Sequence, residues 1–275
     1  MNHCKTIAIV NQKGGVGKTT STVNLGVGLA QAGNRVLLVD DDPQHSLTIS
    51  LGIRNADEDL DTTLATAMQA EIRDESVPWE EDIIHSDEGV DLLPANIELS
   101  GVEMSLFNAM SREQVLKSVL SRVKENYDYI LIDCMPSLGL MSVNALVAAD
   151  SVIIPSAPDF LSTKGLNLLI RTIGRVRRQI NPKLKIDGIL MTMVDSRTNN
   201  AKSIIAALRS TVGSSVRVFD TEIPRSVRAA EASGEGKSIF TYDPKSRVAQ
   251  AYTNLTKEVA ELGKEANRSR SNGAR

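Results

Sequence analysis

Aromatic side chains, cysteines and histidines are all scarce in this chain of 275 residues, and each shortage excludes a class of protein. Aromatic residues make up 3% of the sequence, too few for the stacking platforms that hold single-stranded nucleic acid. The two cysteines, Cys4 and Cys134, predict a reducing cytoplasm, not a disulfide-stabilised fold. Three scattered histidines offer no metal-site spacing. No apolar run approaches the roughly 18 residues of a membrane span.

The overall composition of the chain is ordinary for a soluble globular protein, but its charge is spread unevenly along the sequence. Hydrophobic residues make up 41% and charged residues 24%, with a net charge of −3. From Arg197 onward there are 14 Lys and Arg against 8 Asp and Glu, whereas residues 1–196 hold 17 against 26. The basic C-terminal third could be either a nucleic-acid-binding surface or an ordinary solvated surface, and the sequence leaves both interpretations open.

A second charge feature is an acidic segment from Asp57 to Asp91. It holds 13 Asp and Glu and a single basic residue, Arg73, together with the only tryptophan, Trp79. We interpret most of it as a solvent-exposed acidic segment on the protein surface. A contact surface for a basic segment of a partner is the alternative.

The most informative stretch is a glycine-rich loop, Asn11–Thr20, between an apolar strand and a predicted helix. From Lys13 to Thr19 it reads KGGVGKT, the Gly-Lys-Thr helix start of a phosphate-binding loop, although Gln12 stands where the standard pattern has glycine. Glycines let the backbone curl so that its N–H groups face an anion, and the positive end of the following helix strengthens that field. Lys18 adds a point charge and Thr19 a hydroxyl ligand for Mg²⁺. The loop predicts nucleotide binding.

Two apolar runs predict buried strands that end in carboxylates, Arg35–Asp40 and Tyr127–Asp133. Ligands of parallel α/β sheets bind beyond the carboxyl ends of the strands, so we expect both aspartates beside the loop. Asp133 fits the Walker B arrangement, in which a carboxylate holds a water on Mg²⁺. The segment Cys134–Gly139 then continues as a loop that could sense the γ-phosphate.

Further strands are predicted at residues 151–155, 184–194 and 216–218, alternating with helices. The fold class is therefore α/β, with a single doubly wound, mostly parallel sheet flanked by helices, as in P-loop NTPases. We expect one ATPase domain over residues 1–262, closed by a helix from about Pro244 to Leu262. Residues 263–275 are small, polar and basic, which predicts a disordered tail.

Six ordered motifs resemble those of the ParA (Soj-type) partition ATPases, a deviant Walker A branch of the P-loop proteins in the MinD/ParA superfamily. The matching segments are Lys13–Thr19, Val36–Gln44, Ile130–Gly139, Thr192–Thr198, Ile223–Ala232 and Tyr242–Arg247. The resemblance extends from Lys5 to about Leu262, nearly the whole chain.

This resemblance implies an ATPase that is slow until stimulated, with ATP and Mg²⁺ as cofactors. ATP would be sandwiched in a homodimer, in which Lys13 of each subunit reaches the phosphates of the other. Lys13, Lys18 and Asp42 would be catalytic, with Asp42 positioning the attacking water. Thr19 would bind Mg²⁺, with Asp40 and Asp133 acting through water. The implied nucleotide-binding residues are Lys13, Gly14, Gly15, Val16, Gly17, Lys18, Thr19, Thr20, Met193 and Pro224.

The resemblance also implies a dimer that binds double-stranded DNA without sequence preference, in the cytoplasm and on the nucleoid, as plasmid or chromosome partition requires. A ParB-like centromere-binding partner would stimulate hydrolysis and release the DNA. Such DNA binding needs only Lys and Arg set against phosphates. The candidates, each of which could instead be a solvated or salt-bridged side chain, are Arg197, Arg225, Arg228, Lys245 and Arg247.

Three departures from the family pattern bear on loop kinetics and on the choice of partner. His45-Ser46 follows Asp42-Pro43-Gln44 where the family usually has Gly-Asn, and Asp41 replaces an apolar or small residue. Ser156–Phe160 is also unlike the common form of its loop.

Three other functions compete with partition. A MinD-like membrane-positioning ATPase shares the loop, but residues 264–275 lack the Leu, Phe, Ile and Trp of a membrane-docking helix. An iron–sulfur reductase of the nitrogenase iron-protein kind would use Cys134. A scaffold that binds ATP and DNA without hydrolysis is the third.

Overall fold

The structure is a computed structural model that describes residues 4–213 and 215–273, without the side chains of 160–164 and 264–273. Eight strands form one sheet in the order β3-β4-β2-β5-β1-β6-β7-β8. All neighbouring strands are parallel except β3 and β4. The strands are β1 Lys5–Ile9, β2 Val36–Asp41, β3 Ile84–His85, β4 Asp91–Leu93, β5 Tyr129–Cys134, β6 Ser151–Ser156, β7 Lys185–Val194 and β8 Val218–Pro224.

Helices connect the strands and cover both faces of this sheet. They are α1 Lys18–Gln31, α2 Ser46–Ser50, α3 Ala56–Asp59, α4 Leu64–Arg73, α5 Leu99–Leu106, α6 Val115–Ser121, α7 Leu140–Ala148, α8 Phe160–Gln179, α9 Asn199–Val212, α10 Val227–Gly234, α11 Ile239–Tyr242 and α12 Arg247–Gly273. The predicted fold class, a mostly parallel, doubly wound sheet flanked by helices, is confirmed.

Two hydrophobic cores lie on opposite faces of the sheet, because successive side chains of a strand point to opposite sides. In β1, Ala8 packs into the core formed with α4 to α9, whereas Ile7 and Ile9 pack into the core formed with α1, α2 and α10 to α12. Burial on both faces explains why the central strands are almost uniformly apolar. Helices α1 and α12 approach closely at Gly28, where an added Cβ would lie 2.3 Å from Oγ1 of Thr256.

The last strand differs from its prediction. We expected it at residues 216–218, but β8 spans Val218–Pro224. Because β8 is the edge strand, only Phe219 and Ile223 are fully buried, and the polar run from Asp220 to Glu222 hides the strand from a search for apolar runs.

The last helix is also longer than expected. It reaches Gly273, past the predicted end at about Leu262, and the added residues include the good helix formers Lys264, Glu265 and Ala266. Ala274 and Arg275 lie outside the described residues, so the expected division into a domain of residues 1–262 and a tail of 263–275 stays a prediction. In the described part of the chain, no helix combines the length and the apolar character needed to cross a bilayer.

The topology places the functional candidates at one edge of the sheet. β1 lies between β5 and β6, and β5 lies between β1 and β2, so the loops that follow these strands meet at their carboxyl ends. Asp40 of β2 and Asp133 of β5 are paired directly across the two strands. The carboxylates expected beside the phosphate loop are therefore neighbours by strand register alone.

Candidate functional site at the carboxyl edge of the sheet

The glycine-rich loop forms an open cradle between β1 and α1. Gly15 and Gly17 have φ values of +68° and +79°, a left-handed conformation that side chains with a Cβ rarely adopt. A Cβ added to Gly14 or Gly15 would meet nothing within 4 Å, so the space that the loop encloses is open. Lys18 is buried, and its Nζ lies 3.5 Å from the carbonyl oxygen of Lys13 across the loop. This geometry fits an anion held by backbone N–H groups and one ammonium group.

Two side chains outside the motif hold the loop in place. Asn11 donates from Nδ2 to the carbonyl oxygen of Pro155 (2.6 Å) and accepts from the N–H of Lys13 (3.0 Å). Thr192 in β7 donates from Oγ1 to the carbonyl oxygen of Val16 (2.8 Å). The sequence assigned no role to either residue, although Asn11 begins the glycine-rich stretch Asn11–Thr20 and Thr192 begins the motif Thr192–Thr198.

Asp133 ties the first turns of α1 to the central strand β5. Thr19 donates from Oγ1 to Oδ2 of Asp133 at 2.6 Å, and Thr22 donates from Oγ1 to Oδ1 at 3.2 Å. Burial raises the pKa of the Asp133 carboxyl to about 6, against the lowering effects of the Thr19 bond and the Lys18 charge. The predicted pair of Thr19 and Asp133 is thus in direct contact.

Asp40 lies beside Asp133 and has one oxygen without a partner. Its Oδ2 accepts from the N–H and Oγ1 of Thr48 at 2.8 and 2.7 Å, whereas its buried Oδ1 has no hydrogen bond. Burial, with the nearby Asp133 charge, raises the pKa of Asp40 to about 8.

These groups fit Mg²⁺. The Thr19 hydroxyl and the Asp40 and Asp133 carboxylates are hard oxygen donors, which Mg²⁺ prefers, and the free Oδ1 of Asp40 is an acceptor that needs a partner. No cluster of three His, Cys, Asp or Glu ligands occurs among the described residues.

Asp42 begins the loop that joins β2 to α2. It is half-buried, and its Oδ1 accepts from the N–H of Gln44 at 2.9 Å, which fixes the turn. The residue at the first family departure, His45, has a φ of +43°. The Asp42 charge contributes to the raised pKa values of both Asp40 and Asp133, so the three carboxyls share one electrostatic environment.

Asp41, another departure from the family pattern, points to the opposite face of the sheet from Asp40. It is fully buried, and neither carboxylate oxygen has a hydrogen-bond partner in the structure. Burial raises its pKa well above the usual range, with further contributions from Asp40, Asp42 and Glu103. Asp41 therefore lies outside the phosphate site that its neighbours form.

Lys13 forms an ion pair in its own chain. Its Nζ lies 2.7 Å from Oδ2 of Asp159 in the loop after β6, and the two side chains are 41% and 39% exposed. Asp159 belongs to the segment Ser156–Phe160 that departs from the family pattern, and sequence reasoning did not connect it with Lys13. The contact joins residues 146 positions apart, which no local pattern reveals.

A cavity of about 860 Å³ opens beside the loop, between the ends of β7 and β8 and the starts of α10 and α12. Gly17, Thr20, Met193 and Pro224 all line it, as does Tyr252, which sequence reasoning missed. Met193 has a φ of +53°, a strained conformation of the kind found at binding sites. The volume and the mixed lining suit a nucleoside attached to phosphates in the cradle.

The five basic candidates for DNA contacts are exposed near the same cavity. Arg197, Arg225 and Arg247 line it, while Arg228 and Lys245 lie next to lining residues in sequence. Arg197 donates to both oxygens of Asp195 at 2.9 and 2.8 Å, and Arg228 lies 3.6 Å from Glu231. Exposed ion pairs of this kind contribute little stability, so both arginines can exchange to other anions.

Comparison with known proteins places the chain among ATP-binding partition proteins. The AAA domain family model matches residues 4–186. The chain is 46% identical over 261 residues to the sporulation initiation inhibitor protein Soj of Bacillus subtilis, covering 94% of this chain and 99% of the relative. It is 42% identical over 262 residues to the chromosome partitioning protein ParA of Caulobacter vibrioides, covering 94% of each.

A solved structure shows that this likeness extends to the fold. Cobyrinic acid a,c-diamide synthase from Mycobacterium smegmatis, with bound ADP and magnesium, is similar with a TM-score of 0.81 and 34% identity, covering 96% of each chain.

The buried carboxyl of Asp41 should make stability depend on pH. Because its pKa is raised in the folded state, its contribution is fully present below about pH 4 and is lost as the pH rises towards the folded-state pKa. Asp41→Asn, which keeps the shape and removes the charge, should raise the free energy of unfolding at pH 7 by about 1 kcal/mol or more. Urea unfolding from pH 4 to 8 in EDTA, followed by Trp79 fluorescence, measures this.

The matched control is Asp87→Asn at an exposed position, which should leave the pH profile unchanged. An Asp41→Asn variant with the wild-type slope of stability against pH would contradict the assignment.

Proposed function

The chain belongs to the ParA/Soj family of P-loop ATPases, and on this premise we propose that it partitions DNA, as a plasmid or chromosome partition ATPase. In this proposal, an ATP-dependent homodimer binds DNA without sequence preference and hydrolyses ATP slowly until a ParB-like partner stimulates it. The observation that carries the proposal is the convergence of the cradle, the Thr19–Asp133 pair and Asp42 beside an exposed group of arginines.

Phosphate binding is assigned to the glycine-rich loop. The backbone N–H groups from Gly14 to Thr20 and the Lys18 ammonium hold the β- and γ-phosphates in the cradle. Thr19, with Asp40 and Asp133 acting through waters, holds Mg²⁺, which neutralises charge on the phosphate oxygens when bound. Met193 and Pro224 pack against the base in the adjoining cavity.

Hydrolysis is assigned to Asp42, which positions the attacking water. Its carboxylate is half-buried at the start of the loop after β2, and one oxygen is already oriented by the N–H of Gln44. Phosphoryl transfer depends mainly on positioning and on positive charge near the γ-phosphate, so one oriented carboxylate and the lysines suffice.

Lys13 is assigned to the phosphates of the second subunit. In the single chain, Lys13 is paired with Asp159, and an ammonium group that is 41% exposed can exchange a carboxylate for a phosphate. Hydrolysis would then require dimerisation, since each site lacks one positive charge until the second subunit supplies it.

DNA binding is assigned to Arg197, Arg225, Arg228, Lys245 and Arg247. They are exposed and lie near the nucleotide cavity, so dimerisation around ATP can bring two such groups onto one surface. Contacts of this kind bind phosphates and give no base specificity. The protein would act in the cytoplasm on the nucleoid.

The central experiment measures binding of labelled double-stranded DNA as salt is raised, in ATP, in ADP and without nucleotide. We expect tight, salt-dependent binding only in ATP. Lys18→Ala should weaken ATP binding by about 100-fold, which corresponds to the loss of roughly 3 kcal/mol of charged contacts, and should abolish DNA binding. Lys117→Ala, an exposed lysine on α6, is the control.

Equal DNA binding in all three nucleotide states would contradict the proposal. ATP-dependent flotation with anionic vesicles instead of DNA binding would favour a MinD-like function. DNA binding without any turnover in the presence of a ParB-like protein would favour a scaffold.

Asp42→Ala should separate binding from hydrolysis. Since the residue touches neither the cradle nor the arginines, ATP binding and DNA binding should persist, while phosphate release falls by about 100-fold or more. Wild-type turnover would mean that another residue positions the water.

Replacing both Arg225 and Arg228 by Ala should weaken binding to every DNA sequence and reduce the slope of log affinity against log salt by roughly 1 to 2. The matched control replaces Arg171 and Arg175 by Ala, which removes the same charge from the exposed side of α8. If the control loses as much affinity as the test variant, the DNA surface lies elsewhere.

A further inference from the structure

Exposed apolar side chains concentrate on one short segment, residues 97–110, around α5. Ile97, Met104, Phe107 and Met110 are 53%, 69%, 58% and 94% exposed, and they account for four of the seven large exposed hydrophobic residues of the described chain. Met104 lies on α5, and Phe107, the residue that caps its end, follows three positions later and so on the same side, while Ile97 and Met110 lie in the turns before and after the helix. We call these four residues the α5 face. Grouped apolar exposure of this kind marks an interaction surface.

The opposite side of α5 is connected to the loop that follows Asp133. Leu99, Val102 and Leu106 are buried in the core, which anchors the helix. Glu103 accepts from the N–H of Leu140, the first residue of α7, at 3.2 Å. The carboxylate of Glu103 also lies close to Gly139, the last residue of the loop that precedes α7. This hydrogen bond joins α5 to the start of α7, where the loop 135–139 ends.

The surroundings of the α5 face are acidic. Asp57 accepts from the N–H of Ile97 at 2.9 Å, which places the exposed acidic helix α3 against the start of this face. Glu58, Asp59 and Glu98 are exposed nearby, while the adjacent Arg112 is already paired with Glu113.

The negative charge around the α5 face indicates which kind of partner can bind there. A two-fold contact with a second copy would bring these carboxylates together, which is unfavourable. A segment with Lys or Arg beside apolar side chains would instead pair its charges with these carboxylates and pack its apolar side chains against the α5 face. Methionines adapt to different apolar partners, which suits a flexible segment.

We propose that the α5 face is the docking site for a basic segment with apolar side chains on a stimulating partner protein, and that Glu103 transmits docking to the loop 135–139. This inference rests on the proposed function, because it names where the partner of that ATPase acts. Glu103 is a positioning residue, since it acts through the loop and not on the nucleotide.

The test uses a fluorescein-labelled 20-residue peptide of Lys, Leu and Ala, and a counterpart with Glu in place of Lys. With ATP present, the basic peptide should bind the full chain, as measured by anisotropy, and the acidic one should not. Replacing Met104 and Phe107 by Ser should weaken binding at least tenfold. Leu168→Ser, which removes an apolar side chain that is 53% exposed on α8, should not weaken it.

Coupling is measured by hydrogen–deuterium exchange. Binding of the basic peptide should change exchange in the loop 135–139. Glu103→Ala, which removes the acceptor of the Leu140 N–H, should leave peptide affinity within about twofold and remove this change, an outcome that a purely structural role for Glu103 would not produce.

Four outcomes would overturn the proposal: no binding of the basic peptide, equal binding of the acidic peptide, equal loss in the Leu168→Ser control, or no exchange change in the loop. A Met104 and Phe107 variant that is monomeric in ATP where the wild type is a dimer would assign the face to a second copy instead. Basal ATPase and ATP-dependent DNA binding are measured on the same proteins, so a failure of the proposed function is seen separately from a failure of docking.

Discussion

The site depends on the carboxylate of Asp133, which accepts hydrogen bonds from Thr19 and Thr22 and so joins α1 to the centre of the sheet. Because β5 lies between β1 and β2, this tie holds the phosphate loop where three strands end. Thr192 secures the other side of the loop through the carbonyl oxygen of Val16. The cradle and the neighbouring cavity are therefore positioned by a few long-range hydrogen bonds on a rigid sheet.

Burying three carboxyl groups close together disfavours their charged forms, and a bound cation can offset this for only two of them. Asp40 and Asp133 are buried side by side with raised pKa values, and a bound cation would stabilise their charged forms. Asp41 points to the other face, where no cation of the phosphate site would meet it. Its position near Glu103 links it to the side of the sheet that carries α5 and the loop 135–139. That side also carries the exposed apolar residues of the α5 face.

Most of the fold was predictable because its signals are local. The central strands are apolar runs since both of their faces are buried, and the glycines that start α1 are required by the backbone conformation there. β8 was misplaced because an edge strand buries few residues and its polar run carries no apolar signal. The end of α12 was placed too early, although the residues beyond Leu262 include good helix formers.

The sequence by itself determined the phosphate loop, the carboxylates at the ends of β2 and β5 and the family. Each of these is a contiguous motif, in which the local backbone conformation or burial requires particular residue types. Only the tertiary structure decided which distant residues meet them. The pairing of Lys13 with Asp159, the hydrogen bond from Thr192 to the loop, and the contact of Glu103 with the start of α7 join residues 37 to 176 positions apart. Such contacts follow from strand order and helix packing, which bring together side chains that no local spacing relates.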